Sequence, residues 1–181
     1  MVVGARGITV LDDEDGVIGE LEYSESGATA VEFLTAAFEA PPVISHRESD
    51  FNCVPAADVA TWEGYLTLNY NVDGWTVGDQ ATFVHVTAPV SANGLALHTT
   101  SRFGVGDSVD ALLASQPGVG ADSAEYDGHA YDWVHYDVGE GTYLPNSDPN
   151  WGQEAYWGAL ASGIDGVITG LHSPVAYVDL C

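Results

Sequence analysis

Four side chains that could bind a ligand or an ion recur at every second position between residues 129 and 135. They are His129, Tyr131, Trp133 and His135. Because side chains alternate between the faces of a β-strand, a strand here places all four on one face. Exposed rings of this kind are typical of surfaces that bind a protein or a glycan. The alternative is that the rings fill a two-layer core, where most aromatic side chains lie.

A second aromatic group begins after the polar loop at 145–150, which contains both Asn and Asp. Trp151 and Tyr156 belong to this group. Binding sites combine aromatic walls with a few polar groups that orient the ligand, and a glycan site would use both. We therefore take these two residues, together with the four on the strand, as the predicted binding residues.

Motifs for metal binding and nucleophilic catalysis are missing from the sequence. The six histidines show no H-x-x-x-H spacing. His129 and His135 would lie roughly 20 Å apart along a strand, too far to share an ion. There is no G-x-S-x-G elbow for a nucleophilic serine. We expect no cofactor, no metal and no catalytic residue, although a pair of carboxylates suited to glycoside hydrolysis stays possible among 27 acids.

The charge of the chain excludes several classes of partner. It has 27 Asp and Glu, three Arg and no Lys, which gives a net charge of −24. Nucleic acids and anionic membranes are bound mainly through Lys and Arg, so neither is an expected partner. A cationic protein would be attracted by the negative electrostatic field of this chain. Charged residues make up only 17% of the chain; the average is about 25%. This favours a secreted protein over a salt-adapted one.

The two cysteines, Cys53 and Cys181, are predicted to pair. Their disulfide would close a loop longer than 100 residues and contribute on the order of 4–5 kcal/mol. Such bonds persist in oxidising compartments, so we expect an extracellular or cell-envelope location, with the signal sequence absent from this chain. The alternative is two unrelated thiols. No run of about 20 apolar residues, as a membrane-spanning helix needs, is present.

The order of elements predicts an α+β fold built from two related units, each a short helix packed on an antiparallel sheet. The units are 1–92 and 93–181. In the first, the capping box Thr29–Glu32 starts a helix whose apolar face holds Ala30, Phe33, Leu34, Ala37 and Phe38. In the second, Asp107 is the expected N-cap. Strands are expected at 7–11, 17–23, 62–70, 81–86, 95–99, 129–138, 154–161 and 167–171.

The acidic segment 12–16 invites a calcium interpretation, but Gly16 falls too early for an EF-hand loop and no Glu occupies the twelfth position. We expect a hairpin turn there, with calcium binding by the acidic loops as an alternative.

The run Gly104-Val105-Gly106-Asp107-Ser108-Val109-Asp110-Ala111-Leu112-Leu113 resembles the opening of a small α/β repeat. That repeat occurs in the beta-lactamase inhibitory protein and in related small outer-membrane lipoproteins. The chain is also similar to uncharacterised secreted or lipoprotein-like proteins of actinobacteria, which share a W-x-G-[FY] strand start, here 62–65. The resemblance implies a binding or structural module without catalytic machinery.

Together these features predict a non-enzymatic binding or envelope-associated module whose partner is a protein or a glycan. The competing hypothesis is a salt-adapted acidic hydrolase that uses a pair of carboxylates. A deep polar cleft with two converging carboxylates would favour the enzyme, whereas an open aromatic sheet face would favour the binding module.

Overall fold

The computed structural model describes residues 1–49, 56–72, 82–115, 121–137, 143–144 and 155–176. The fold is α+β and mostly β-sheet. In chain order the described elements are β1 (Val2–Val3), β2 (Gly7–Leu11), β3 (Val17–Glu22), α1 (Gly27–Phe38), β4 (Val43–Arg47), β5 (Ala57–Trp62), β6 (Leu66–Tyr70), β7 (Thr82–Val86), β8 (His98–Thr99), α2 (Val109–Ser115), β9 (Ala121–Tyr126), β10 (His129–Tyr136), β11 (Tyr143–Leu144), β12 (Ala155–Ile164) and β13 (Val167–Ala176).

The strands form two sheets. Within the described residues, the large sheet has nine strands in the order β4-β5-β6-β7-β13-β12-β10-β9, with β11 added beside β12. The small sheet has the order β3-β2-β1-β8. All described strand pairs are antiparallel except β1 with β8.

Both sheets contain strands from both halves of the chain. In the large sheet, β7 pairs with β13, and Val86 lies opposite Leu171. In the small sheet, β1 pairs with β8, and Val2 lies opposite His98. Residues 1–92 and 93–181 therefore complete each other's sheets.

The core lies on one face of the large sheet, which α1, α2 and the small sheet cover. Phe38 of α1 packs against Trp62 and Tyr65, with ring centroids 5.5 Å and 4.9 Å away. Buried hydrogen bonds join the small sheet to the large one. The hydroxyl of Tyr136 donates to the carbonyl of Val3, and the backbone N–H of Thr82 donates to the carbonyl of Tyr23. One face of the large sheet is therefore committed to the core.

Helix α1 follows the predicted apolar pattern, although it begins earlier than expected. Ala30, Leu34 and Phe38 are buried, and Phe33 and Ala37 pack against the core as the spacing predicted. The N-cap is Ser26, whose hydroxyl accepts a hydrogen bond from the backbone N–H of Thr29 at 3.2 Å. The prediction that Thr29 caps the helix is wrong, because Gly27 and Ala28 already have helical geometry.

Ser26→Ala is expected to lower the free energy of unfolding by about 1 kcal/mol, because the Thr29 N–H loses its capping acceptor. The matched control is Ser24→Ala, since the Ser24 hydroxyl bonds only the exposed Glu22 carboxylate in the described structure. Urea unfolding measures both variants. Equal stability of the two variants would contradict the assigned cap.

Helix α2 is capped by Ser108, not by the predicted Asp107. The Ser108 hydroxyl accepts from the backbone N–H of Ala111, the third residue of the helix. The Asp107 carboxylate instead accepts from the backbone N–H of Gly104 and closes the preceding turn. The residue directly before the helix therefore supplies the cap.

Several strand predictions also need correction. The single strand expected over 62–70 is a hairpin, β5 and β6, which turns at Gly64 with φ +88°. The strand expected at 95–99 covers only His98–Thr99, and strands β4 and β9 were not predicted. The hairpin turn predicted at 12–16 is confirmed: the Asp12 carboxylate accepts from the backbone N–H groups of Glu14 and Gly16.

Candidate functional site

The second face of the large sheet, here called the open face, carries the side chains that could bind a ligand. Both helices and the small sheet pack on the core face, and no helix or strand of the described chain covers the open face. Directly opposed residues of antiparallel strands share a face. The register therefore places these residues together: Val59, Thr61, Asn69, Thr67, Phe83, His85, His172, Leu160, Ser162, Tyr131, Trp133 and His135.

Two histidines form a stacked pair near the middle of the open face. His85 on β7 and His172 on β13 are direct cross-strand partners. Their rings lie 4.1 Å apart at an interplanar angle of 12°. Cross-strand partners have neighbouring Cβ atoms, so the pairing itself brings the two imidazoles into contact.

A serine and a glycine complete this cluster. The Ser162 hydroxyl lies 3.1 Å from His172 Nε2. A Cβ at Gly170 would lie 2.9 Å from His85 Nε2, 2.9 Å from Ser162 Oγ and 3.3 Å from His172 Nε2. The backbone of Gly170 is not left-handed, so space is the reason for a glycine here. We call the three side chains that close over Gly170, those of His85, Ser162 and His172, the imidazole niche.

The niche histidines are held uncharged near neutral pH. Burial, and secondly the neighbouring His85, lower the pKa of His172 to about 4. Burial also lowers the pKa of His85. Burial disfavours the charged form of both imidazoles, and repulsion from His85 adds a smaller effect at His172. The niche therefore presents neutral nitrogen atoms, each of which can donate or accept depending on its tautomer.

Ser162 and His172 do not make a convincing nucleophile and base. A general base works best when its pKa is close to the working pH, and that of His172 is far below neutrality. A triad also needs a third group that orients the imidazole. Within the described residues, the ring next to His172 is the stacked His85, which is not such a group.

The aromatic residues predicted on β10 lie one strand away from Ser162 and two strands away from His172. Tyr131 and Trp133 are half-buried, and their rings lie 6.4 Å apart at 20°. The register puts Trp133 directly opposite Asp122 on β9 and Ser162 on β12. The predicted shared face is present, because Val134 and Tyr136 point the other way into the core. We call Tyr131 and Trp133 the aromatic pair.

No protein-family model matches this sequence, and neither a curated protein nor a solved structure matches it.

The two predicted histidines of β10 occupy different surroundings. His129 is exposed at the end of the strand, where its Nδ1 lies 2.7 Å from the Asp165 carboxylate. That contact ties the β9–β10 turn to the β12–β13 turn. His135 is half-buried on the open face, and burial lowers its pKa while Asp122 opposes the shift. His135 thus lies with the aromatic pair, whereas His129 links two hairpins.

The other predicted site residues are only partly described. Tyr156 lies on β12 opposite Tyr143, and its side chain is outside the described residues. Trp151, Cys53 and Cys181 also lie outside the described residues, so the disulfide and the second aromatic group stay predictions. No group of three or more metal-ligating side chains occurs among the described residues. In that same part of the chain, no helix is long and apolar enough to span a membrane.

The sequence did not identify the imidazole niche, because His85 is remote in the chain from Ser162 and His172. One signal was available. In Val84-His85-Val86 and in Leu171-His172-Ser173, a histidine stands between residues that are buried in the structure. Alternation of this kind places each histidine on the face opposite the core. Which histidines meet could be known only from the β7–β13 register.

Proposed function

We propose that this chain is a non-enzymatic binding module, and that a cationic segment of a protein partner docks on the aromatic pair of the open face. The supporting observation is that Tyr131 and Trp133 stand as near-parallel rings on a sheet face that no described element covers. Aromatic residues in such positions are frequent binding hot spots.

The charge of the site favours a cationic partner. Asp122 is exposed beside Trp133, and the whole chain carries a net charge of −24. A Lys or Arg side chain over an aromatic ring gains about 0.5–2 kcal/mol, depending on its desolvation. Long-range attraction also raises the association rate in low salt. An aromatic ring next to a carboxylate therefore suits a basic segment better than an acidic one.

Trp133→Ala is expected to weaken binding of an acetylated octa-arginine peptide about tenfold, the loss of about 1.4 kcal/mol expected at a modest hot spot. Fluorescence anisotropy of a labelled peptide at low and high NaCl measures the affinity. Val43→Ala is the matched control, because Val43 is exposed on the opposite edge strand, β4. Its affinity should equal that of the unaltered protein.

Two outcomes would contradict the proposal. If the peptide binds Trp133→Ala and the unaltered protein equally, the attraction comes from net charge alone and the aromatic pair is not a binding site. If neutral oligosaccharides such as cellotetraose bind in a Trp133-dependent way and the peptide does not, the partner is a glycan.

The competing proposal, a salt-adapted hydrolase with a carboxylate pair, has less support. A catalytic general acid needs a raised pKa. Two described carboxyl groups have clearly shifted values, and both shifts are downward: hydrogen bonds from His46 and His129 lower the pKa of Asp58 and of Asp165, respectively. Both carboxylates connect neighbouring segments of the sheet.

An extracellular or cell-envelope location belongs to the same proposal. Its support is the predicted pairing of Cys53 with Cys181 and the low total of charged residues. Alkylation of the intact protein before and after reduction tests it. Labelling of both cysteines without reduction would remove the main support.

The origin from two related units is a proposal as well. Each half contains one helix followed by antiparallel strands: α1 precedes β4 to β7, and α2 precedes β9 to β13. This order supports the proposal of two related units.

A further inference from the structure

We propose that the imidazole niche binds one divalent first-row transition-metal ion, Cu²⁺ most tightly, through His85 Nε2 and His172 Nε2. This site uses other side chains than the aromatic pair, although Ser162 lies directly opposite Trp133, and it does not depend on the cationic partner proposed for that pair.

The convergence of the two nitrogen atoms carries the inference. A single point, the Cβ position at Gly170, lies within 3.3 Å of both Nε2 atoms and 2.9 Å from Ser162 Oγ. Imidazole nitrogens bind Zn²⁺ at about 2.0–2.1 Å. The rings of the pair are only 4.1 Å apart. The point is one bond length from the Gly170 Cα, so a shared ion must lie farther from the β13 backbone, and both rings must turn to bring their Nε2 atoms to it.

The residue type at position 170 fits the same site. A methyl group at position 170 would contact two of the three polar atoms at 2.9 Å, closer than real Cβ atoms come to other atoms. Gly170 lies in the middle of β13, and a glycine inside a strand weakens it. Its φ is not positive, so the backbone conformation does not require a glycine. Glycine within a strand often marks a close approach of a ligand.

The present ring orientation defines what must change on binding. The rings are 12° from parallel, so their in-plane lone pairs lie in two nearly parallel planes and do not meet at one ion. Both rings must tilt about their Cβ–Cγ bonds for the lone pairs to meet at one ion. Ser162 gives up its contact with His172 Nε2 and is then placed to hydrogen-bond a metal-bound water. Water occupies the remaining coordination positions.

The surroundings select the class of ion. Imidazole suits Cu²⁺, Ni²⁺ and Zn²⁺, and affinity for nitrogen sites is greatest for Cu²⁺ in this series. Ca²⁺ and Mg²⁺ prefer oxygen ligands and would instead bind the many surface carboxylates. The strongly negative field of the chain raises the local concentration of any cation.

Calorimetric titration of the full chain with CuCl₂ tests the site, with CaCl₂ as the measure of carboxylate binding. We expect one tight Cu²⁺ per chain. His85→Phe and His172→Phe keep a stacked ring but remove a ligand, and each should weaken that binding about tenfold or more. His135→Phe is the matched control, because it removes another half-buried histidine of the same face and should leave the affinity unchanged.

Gly170→Ala tests the niche with both imidazoles still present, and it should also abolish the tight binding. Electron paramagnetic resonance should show two equivalent nitrogen ligands on Cu²⁺ in the unaltered protein and not in His172→Phe. If Gly170→Ala does not fold, the two His→Phe variants and the spectrum still test whether the two histidines bind the ion. Unchanged affinity in both His→Phe variants, or a spectrum without two nitrogens, would overturn the site. Peptide binding at Trp133 is measured separately, so each proposal can fail alone.

Discussion

Phe38→Ala is expected to lower the free energy of unfolding by about 3–5 kcal/mol, the range for truncating a buried Phe. Phe38 is 1% exposed at the end of α1, and its ring meets Tyr65 edge-on with centroids 4.9 Å apart. Removing the ring leaves a cavity between α1 and the first strands of the large sheet. It also removes the packing that holds Trp62, whose indole N–H donates to the Ala40 carbonyl at 2.9 Å.

Phe33→Ala on the same helix is the matched control for this prediction. Phe33 is only partly buried, beside Gly19 of β3, and so its truncation removes less packing. Urea unfolding followed by far-ultraviolet circular dichroism gives both free energies. A loss at Phe38 that is no larger than the loss at Phe33 would show that the α1 contact with Trp62 and Tyr65 is not a major source of stability.

The second large effect is a loss of stability in mild acid caused by His172. Its pKa is about 4 in the folded protein, compared with the ordinary value of 6.5. Below pH 6.5 the unfolded chain binds a proton at this residue that the folded chain does not bind. The contribution of His172 to the free energy of unfolding is therefore fully present above pH 6.5, and it is lost as the pH is lowered towards 4. The 2.5-unit difference corresponds to about 3 kcal/mol at most.

The measurement is the free energy of unfolding at pH 7.5 and pH 4.5 in buffer containing EDTA, for the unaltered protein and for His172→Phe. The difference in acid sensitivity between the two should be about 2–3 kcal/mol. Comparing the two proteins cancels the titration of the acidic side chains. His85 shifts in the same direction, so part of the effect belongs to the pair. Equal acid sensitivity would mean that His172 is not buried as an uncharged residue.

The elements with strong periodicity were predictable from the sequence. The apolar spacing of α1 identified Ala30, Leu34 and Phe38, and all three are buried. The alternation in β10 identified the open-face residues Tyr131 and Trp133. In each case one face of the element packs against the core, so the spacing of the apolar residues indicates which of them are buried.

The edge strands lacked such a signal. All six residues of β9 are exposed, so no apolar alternation marks the strand. The Asp127-Gly128 turn that follows it, with φ values of 51° and 81°, was the available signal, since Asp-Gly favours a tight hairpin. In β4, Val43 and Ile44 are both exposed, which likewise removes the alternation.

The imidazole niche was beyond the reach of sequence patterns for a different reason. His85 and His172 meet only because β13, the last described strand, pairs with β7 of the first half. Nothing within either segment encodes that partner. Spacing rules for metal sites detect ligands that are close in the chain, and therefore pass over a pair contributed by distant strands.

The pairing of β7 with β13 also bears on how the protein is made. While the chain is being synthesised, β4 to β7 can pair with one another, but β7 keeps a free edge until residues 167–176 have emerged. A free edge of this kind recruits other strands, and non-local pairing slows folding. The nascent chain is thus most exposed to aggregation late in synthesis, and β13 ends that exposure when it occupies the edge.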